Sequence, residues 1–579
     1  MQQRILFRRL LLLPTTSQPK NATPARVLMR HAQLASQARP QLPFLSTPLG
    51  ARNHQFRYLT TDRKRWFMYE VARGFKFTVY LWAIVGFSVV AYWSVQQEWL
   101  ERKYPTPHEW GFITRLRFRI AKWGPDRTDW VETDWVVIGE YVKNVIERLE
   151  DRNIEGAGVQ DLTEGGIWIE GIGESGYDIT AKSEPWRRGY YEALMLGAKA
   201  AEQLDDQVVD KTRHLVFPAS TVIGPSNPNP RPIPFGAEKA PREEDCERAY
   251  DEPEKFYMRI LTTRGFSSKQ KMDAALAYAS WLDFKAVPEA ALRMYEWAVS
   301  LASESVLPAE VPYDTKSYVL KEKAPRDPSA NMLEALTALA AHKARNEDFS
   351  SALPILLSVL RARRSLPEPA AANSSSSSTY SSTSSETPSK TPWTVSNILN
   401  TVKRLAAPPA YPPPPEDGEA TPSRDARERC EEAALNLYIG EIIFAANKGR
   451  EDGLAWTREA VDLAEEQLHK LSSSSSPSAN HHPERDREAR KTCRECLSSG
   501  LDNWAKMVSR LAREEKEGSA AGGRGGNWFG SLWGQGDEMQ MPGRWTAEEK
   551  VVKERTRRAQ EVLEELEAPS TPLSSLFQA

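Results

Sequence analysis

The sequence predicts an all-α protein: a single transmembrane helix followed by an α-solenoid of paired helices, interrupted by disordered insertions. Nineteen residues from Phe77 to Val95 carry no charge. Beyond Phe256, helical stretches place small and aromatic side chains at a spacing that recurs. Between them lie runs of Ser, Pro and Gly that neither a helix nor a central strand accepts.

Charge bounds the class. The 579 residues hold 76 Lys and Arg against 78 Asp and Glu, a net charge of −2. That balance hides a split, because residues 1–76 contain fourteen basic side chains and only two acidic ones, Asp62 and Glu70. A basic head on an acidic body points to targeting and topology, since the body repels phosphate, and nucleic acid is not an expected partner. Four cysteines in this length exclude a disulfide scaffold and a small secreted domain. One span excludes a polytopic transporter.

Residues 1–58 read as a mitochondrial presequence. Nine basic residues lie between Arg4 and Arg57, and no acid occurs before Asp62. Such a segment forms an amphipathic helix whose cationic face is drawn by a negative-inside potential. The run Arg8-Arg9-Leu10-Leu11-Leu12-Leu13-Pro14 imitates a secretory signal, but its apolar stretch is short and lacks a small-residue cleavage site. Arg57-Tyr58 is the expected processing point.

Residues 59–76 form a basic flank and 77–95 the transmembrane helix. Nineteen residues rise about 28 Å, close to the hydrocarbon thickness of a bilayer. Tyr80 and Trp82 at one end, with Tyr92, Trp93 and Trp99 at the other, suit interfacial belts. Arg63, Lys64, Arg65, Arg73 and Lys76 precede the span, whereas Gln96, Gln97 and Glu98 follow it. The basic side stays in the compartment of origin. In the mitochondrial inner membrane this places the N-terminus in the matrix and the body in the intermembrane space.

Residues 96–245 are a juxtamembrane and helical part. In Tyr104–Trp123, Trp110, Ile113, Leu116, Phe118 and Ile120 interleave with Arg115, Arg117, Arg119 and Lys122. This suits a helix lying on acidic lipid, and equally a core-packed helix with snorkelling arginines. Trp135–Leu149 has helical periodicity. Residues 153–185 read as a glycine-rich, turn-rich insertion. Within them Gly171-Ile172-Gly173-Glu174-Ser175-Gly176 imitates a dinucleotide loop, but no helix follows at once and two acids would face the phosphates. A helix is expected from Glu184 to about Lys211, and then a proline-rich extended wrap from Phe217 to Pro241.

Residues 246–366 carry the repeats. Ala291, Tyr295 and Ala298 follow the spacing A-x3-aromatic-x2-A, and Ala279, with Tyr278 before it and Leu282 after, stands twelve residues upstream of Ala291. From Leu333 the same ruler meets Leu339, Ala340, Ala352, Leu356 and Val359. Small residues let two helices approach and large ones fill the groove beside them, which is the tetratricopeptide (TPR) spacing. A looser copy from Cys430 to Leu468 places Gly440 in its first helix and Gly453, Trp456 and Ala460 in its second. It falls in 426–516, a degenerate TPR-like part with capping helices. Residues 367–425 read as a disordered Ser/Pro-rich linker and 517–545 as a Gly-rich linker. A C-terminal helix spans 546–567. Pro408-Pro409-Ala410-Tyr411 matches a WW-domain ligand, a match of no expected use in the intermembrane space.

No chemistry is legible. HExxH, GxSxG and P-loop motifs are absent, so no catalytic residue, metal or cofactor is expected and the chain does not read as an enzyme. Cys493 and Cys496 form the only CxxC, and four-coordinate zinc needs a second ligand pair that the distant His481-His482 hardly supplies. On a helix the two cysteines would be solvent-facing or half-buried and open to reversible oxidation. Cys246 and Cys430 have no partner readable from spacing.

The segments Glu101–Trp110 (ERKYPTPHEW), Glu184–Asp205 (EPWRRGYYEALMLGAKAAEQLD), Phe256–Phe266 (FYMRILTTRGF) and Ala275–Phe284 (ALAYASWLDF) carry a family resemblance. With a presequence and one span, they make the chain similar to fungal mitochondrial inner-membrane TPR proteins related to the adaptor subunit of the i-AAA protease supercomplex. The resemblance covers most of residues 70–365 and brings no residue-level motif. It implies an adaptor that binds unfolded or membrane-anchored clients in the intermembrane space and presents them to the i-AAA protease, beside other membrane adaptors and inner-membrane lipid. Repeat geometry places Asp273, Leu276, Ser280 and Asp283, then Glu334, Thr337 and Ala341, on the client-facing side of the first helices. The alternatives are a membrane-tethered scaffold or assembly factor for another inner-membrane complex and, with little support, a hydrolase within 130–245.

Overall fold

A computed structural model describes residues 62–127, 133–162, 167–169, 173–233, 238–307, 310–322, 326–368, 411–446, 449–473, 483–522 and 543–567. The presequence and most of the 367–425 and 517–545 linkers lie outside the described residues. Within them the chain is mostly helical, with thirteen α-helices and seven short strands.

Helix α1 runs Asp62–Lys103, past the uncharged stretch at both ends. Among the described residues it is the one helix long and apolar enough to cross a membrane. The chain divides into two compact units after Ala91. In the first, the described residues are the α1 segment Asp62–Ala91, with Phe75, Phe77, Leu81, Trp82, Ile84 and Phe87 all exposed. A helix apolar on every face is one that a bilayer solvates.

The second unit opens with the last turns of α1, where Leu100 and Glu101 become buried. Helix α2 (Phe112–Trp123) packs there with Thr114, Phe118, Arg119 and Ala121 buried. Of the two readings of this segment, the core-packed one describes the structure. Glu101 accepts from Thr106 Oγ1 (2.9 Å) and Arg115 Nη2 (2.9 Å) and pairs with Arg119. Burial lowers the pKa of both arginines, yet they remain cations facing one carboxylate. Leaving such a buried charge unpaired costs several kcal/mol, ~3–5, so the three hold one another in place.

Helices α3 (Trp135–Glu150) and α4 (Glu184–Leu204) follow, started by Asp134 and Ser183, whose side chains accept from Val137 N and Trp186 N. Between them β1 (Gln160–Asp161) pairs with β4 (Tyr177–Asp178), and β2 (Ile167–Ile169) with β3 (Gly173–Ser175), both antiparallel. The described part of the dinucleotide-like run is thus strand and turn. Helix α4 stops at Leu204, short of the expected Lys211. Asp205 and Asp206 meet the negative end of its dipole, and Gln207–Asp210 becomes β5, the centre of a sheet ordered β6 (Leu215–Pro218), β5, β7 (Cys246–Arg248). Pro218 ends an edge strand, where a missing N–H is tolerated.

From here helices stack. After α5 (Pro253–Thr262), the pairs are α6 (Ser268–Phe284) with α7 (Pro288–Ala302), α8 (Ala330–Arg345) with α9 (Phe349–Arg364), and α10 (Ala426–Ala445) with α11 (Arg450–Ser473). Each pair touches the next, and α4, α6, α8 and α10 also touch in that order, forming one row of the stack. Ala279, Ala291, Ala298, Ala340 and Ala352 are fully buried at the crossings. In the third pair a Cβ on Gly440 would stand 2.8 Å from the Gly453 carbonyl oxygen, so backbone meets backbone.

The first two pairs turn identically. Ala286 (φ 58°) and Glu347 (φ 64°) are left-handed. Val287 N donates to Leu282 O and Ala286 N to Asp283 O; Asp348 N donates to Lys343 O and Glu347 N to Ala344 O. Both are Schellman closures without the usual glycine.

Helix α12 (Pro483–Gly522) packs on α10 and α11, and α13 (Arg544–Glu567) on α12. Cys493 bonds not to its helical neighbour but to Cys430 of α10, across 63 residues with Cα atoms 5.1 Å apart. Cys496 is buried beside them, and burial pushes its thiol up to about 12. The expected half-exposed, oxidisable pair is therefore one disulfide half and one inert thiol.

Reciprocal substitutions check the turns and crossings. Ala286→Gly should stabilise the fold by about 1 kcal/mol, because glycine carries no left-handed penalty. Gly440→Ala should destabilise by about 1–3 kcal/mol through overpacking, although helix propensity alone favours alanine by about 1 kcal/mol. Gly86→Ala, with no atom within 4 Å of the new Cβ, is the control in which propensity acts without overpacking. Chemical denaturation followed by tryptophan fluorescence reads all three.

Candidate functional site

The residues expected on the client-facing side divide into two groups. On α6, Asp273 and Leu276 are half-buried and Ser280 is exposed; on α8, Glu334 is exposed and Thr337 and Ala341 are half-buried. Thr337 Oγ1 is turned back to donate to Leu333 O (2.7 Å). Asp273 and Glu334 interact across the two helices. Burial, reinforced by the Glu334 carboxylate, raises Asp273 from 3.8 to about 6.

Asp283 does not belong to this face. Its carboxylate accepts from Tyr295 of α7 (3.1 Å) and pairs with Arg345 of α8 (2.9 Å), while His342 Nδ1 lies 2.8 Å away. His342 is buried, and its ring lies 4.9 Å from that of Tyr295. In the last turn of α6 the carboxylate meets the neighbouring pair, and these partners commit it to the seam between the first two helix pairs. A three-four spacing gives the helix face but not which of its residues a neighbour covers.

Sequence reasoning missed a segment that lies on α4 and the start of α8. Residues 411–425, assigned by composition to a disordered linker, run extended over the body and are bonded to it. Arg188 of α4 is 7% exposed. It donates through Nη2 to Pro412 O (2.6 Å) and through Nη1 to Pro413 O (2.7 Å), and its guanidinium lies 4.3 Å from the centre of the Tyr411 ring. Farther along, Asn331 at the start of α8 donates from Nδ2 to Asp417 O (2.8 Å) and from its backbone to Gly418 O (3.2 Å). The Ala330 amide reaches Ala420 O, and Arg424 forms a two-pronged ion pair with Glu432 on α10. Unpaired amides at a helix start are ready donors for a passing chain.

Glu184, Arg188, Tyr191 and Glu192 share one face of α4. Burial pushes the Tyr411 phenol up to about 12, with Glu192 adding to the shift and Arg188 opposing it. Burial also raises Tyr191, helped by Asp273 and Glu192. Carboxylates and aromatic rings thus neighbour one another from α4 through α6 to α8, with Arg188 buried among them and Lys122 of α2 paired to Glu192. The legible signal was the proline run itself, which cannot be helix; its hydrogen-bond donor, an arginine inside an amphipathic helix, carried none.

Among the described residues no group of three or more His, Cys, Asp or Glu is placed to hold a metal ion. No protein-family model, curated protein or solved structure matches the chain.

Asp273 supplies a pH test. Its folded pKa lies above its unfolded value, so above pH 6 the ionised carboxylate weighs against folding. Below about pH 4 the group is protonated in both states and the effect vanishes. Asp273→Asn should therefore raise stability at pH 7 by on the order of 2 kcal/mol, with the gain fading between pH 6 and pH 4. Urea titrations at several pH values measure it.

Proposed function

We propose that the chain is a mitochondrial inner-membrane TPR adaptor: α1 spans the membrane, and the stacked helix pairs hold unfolded or membrane-anchored clients in the intermembrane space for delivery to the i-AAA protease. One observation carries the peptide-binding part. Two members of the row, α4 and α8, already hold an extended stretch of polypeptide, through Arg188 and Asn331. The pairwise helix stack, its buried alanines and its two matching turns support a TPR-like reading of the body. The uncharged run of α1 and the charges flanking it support the tether and its direction. The protease as partner rests on the resemblance of the four segments quoted above.

The mechanism is one of concentration and grip. Tethering beside the protease's own membrane helices raises the local concentration of a held client near the entry pore. Asp273 and Glu334 favour a basic client side chain where they lie, and the α4–α6–α8 row holds the client segment extended. No covalent step is involved.

A tagged chain solubilised from mitochondria in mild detergent should bring down an inner-membrane AAA protease in stoichiometric amount, and deletion should slow client turnover. Recovery of a respiratory or lipid-transfer complex without the protease would instead mark a membrane-tethered scaffold. Asp273→Lys with Glu334→Lys should reduce client recovery several-fold and leave the protease bound.

The compartment is tested separately. In mitoplasts, added protease should digest the body and spare the matrix-side N-terminus. Alkylation of intact mitochondria followed by peptide mapping should find Cys430 joined to Cys493, as an oxidising compartment permits.

A further inference from the structure

We propose that the surface running from Arg188 of α4 to Asn331 of α8 is a binding site for extended proline-rich peptide, that Tyr411–Gly418 occupies it in cis, and that Arg188 selects the ligand. The inference rests on the peptide-binding part of the proposed function and not on the protease.

The chemistry of recognition is complete at Arg188. Consecutive prolines have carbonyls but no amides, so a peptide of this kind can be read only by donors and by ring contacts. A guanidinium offers two parallel N–H groups, and here they meet successive proline carbonyls at 2.6 and 2.7 Å. Because Arg188 is nearly buried, those bonds are charge-assisted and shielded from water. Its flat face stacks on the aromatic ring immediately before the prolines, at 4.3 Å. The site therefore reads an aromatic residue followed by prolines, Tyr411-Pro412-Pro413 in cis.

Dimensions agree. From Tyr411 to Gly418 a proline-type helix extends about 22 Å, and two steps between packed helices come to about 20 Å. The segment is thus the length needed to bridge from α4 to α8, where Asn331 takes the carbonyls of Asp417 and Gly418. Such a peptide is stiff before it binds and loses little entropy on docking. At the N-terminal side the tyrosine belongs to the sequence Pro408-Pro409-Ala410-Tyr411, so cis docking also withholds that tyrosine from other readers. A client presenting an aromatic-proline-proline segment competes with the chain's own copy.

The test uses the full chain in detergent micelles and a fluorescent peptide of sequence AYPPPPEDG, residues 410–418. A variant with Tyr411→Gly, Pro412→Gly and Pro413→Gly should bind the peptide saturably, read by anisotropy. The wild-type chain should bind it at least ~10-fold more weakly, because its own segment competes. Adding Arg188→Ala to the variant should weaken binding ~10-fold or more, and Arg188→Lys should restore only part of it. A peptide with the prolines changed to alanine should not compete. If the triple variant folds poorly, the peptide should raise its thermal midpoint with saturation; no rise would overturn the proposal. Equal binding by wild type and variant would overturn cis occupancy. Indifference to Arg188→Ala would overturn the assigned selector. Concentration-dependent dimerisation of wild type by light scattering, without peptide binding by the variant, would assign the face to a second copy and overturn a proline-rich partner. A variant that binds no proline peptide yet still recovers unfolded clients would end this inference and leave the adaptor standing.

Discussion

Two helices lie close only where the side chains between them are small or absent, and this body is organised around such places. Ala279, Ala291, Ala298, Ala340 and Ala352 are fully buried at the crossings of the first two pairs, and Gly440 faces Gly453 in the third. Close approach lets each pair bury one side against the next, so alternate helices form a continuous row. The row is what exposes a single long face. A bulky residue at any crossing would tilt one pair and break that face at once, since packed interiors do not deform smoothly.

Charges then fix the seams that packing leaves undetermined. Glu101 binds the end of α1 to Arg115 and Arg119 of α2. Glu150 receives Tyr190 Oη (2.8 Å) and Arg259 (2.6 Å), joining α3, α4 and α5. Asp283 joins α6 to α7 and α8 through Tyr295, Arg345 and His342. In each case one carboxylate answers two or more donors from neighbouring helices. Such hubs resist rearrangement because removing one member strands the others away from water.

These constraints bear on function through what they leave accessible. Asp283 is committed to a seam, so on the proposed reading the face left to a client runs from Asp273 and Glu334 to the aromatic groups of α4 and the buried Arg188. Its α4 end and the start of α8 are bonded to the chain's own proline-rich segment, through Arg188 and Asn331. A holding protein whose grip is filled in cis holds a client only by exchange. On the proposed reading, occupancy by self sets a threshold of affinity that a client must exceed.

Several features were determined by the sequence alone, because they depend on local periodicity. The uncharged run within α1, the helices at Trp135, Glu184 and Ser268, and the small residues at the pair crossings repeat at 3.6-residue or fixed spacing and need no distant partner to be read. Tertiary structure alone decided the rest. The Cys430–Cys493 bond, the inward turn of Asp283 and the seating of Tyr411–Gly418 on Arg188 each join residues far apart in the chain, and no spacing encodes such a meeting. The two matching turns make the same point from the other direction. Lys285-Ala286-Val287 and Asn346-Glu347-Asp348 share no residue, yet each closes its pair with the same left-handed step. The packed helices on either side fix where the chain must reverse, and the residue in between adopts the strained angle they impose.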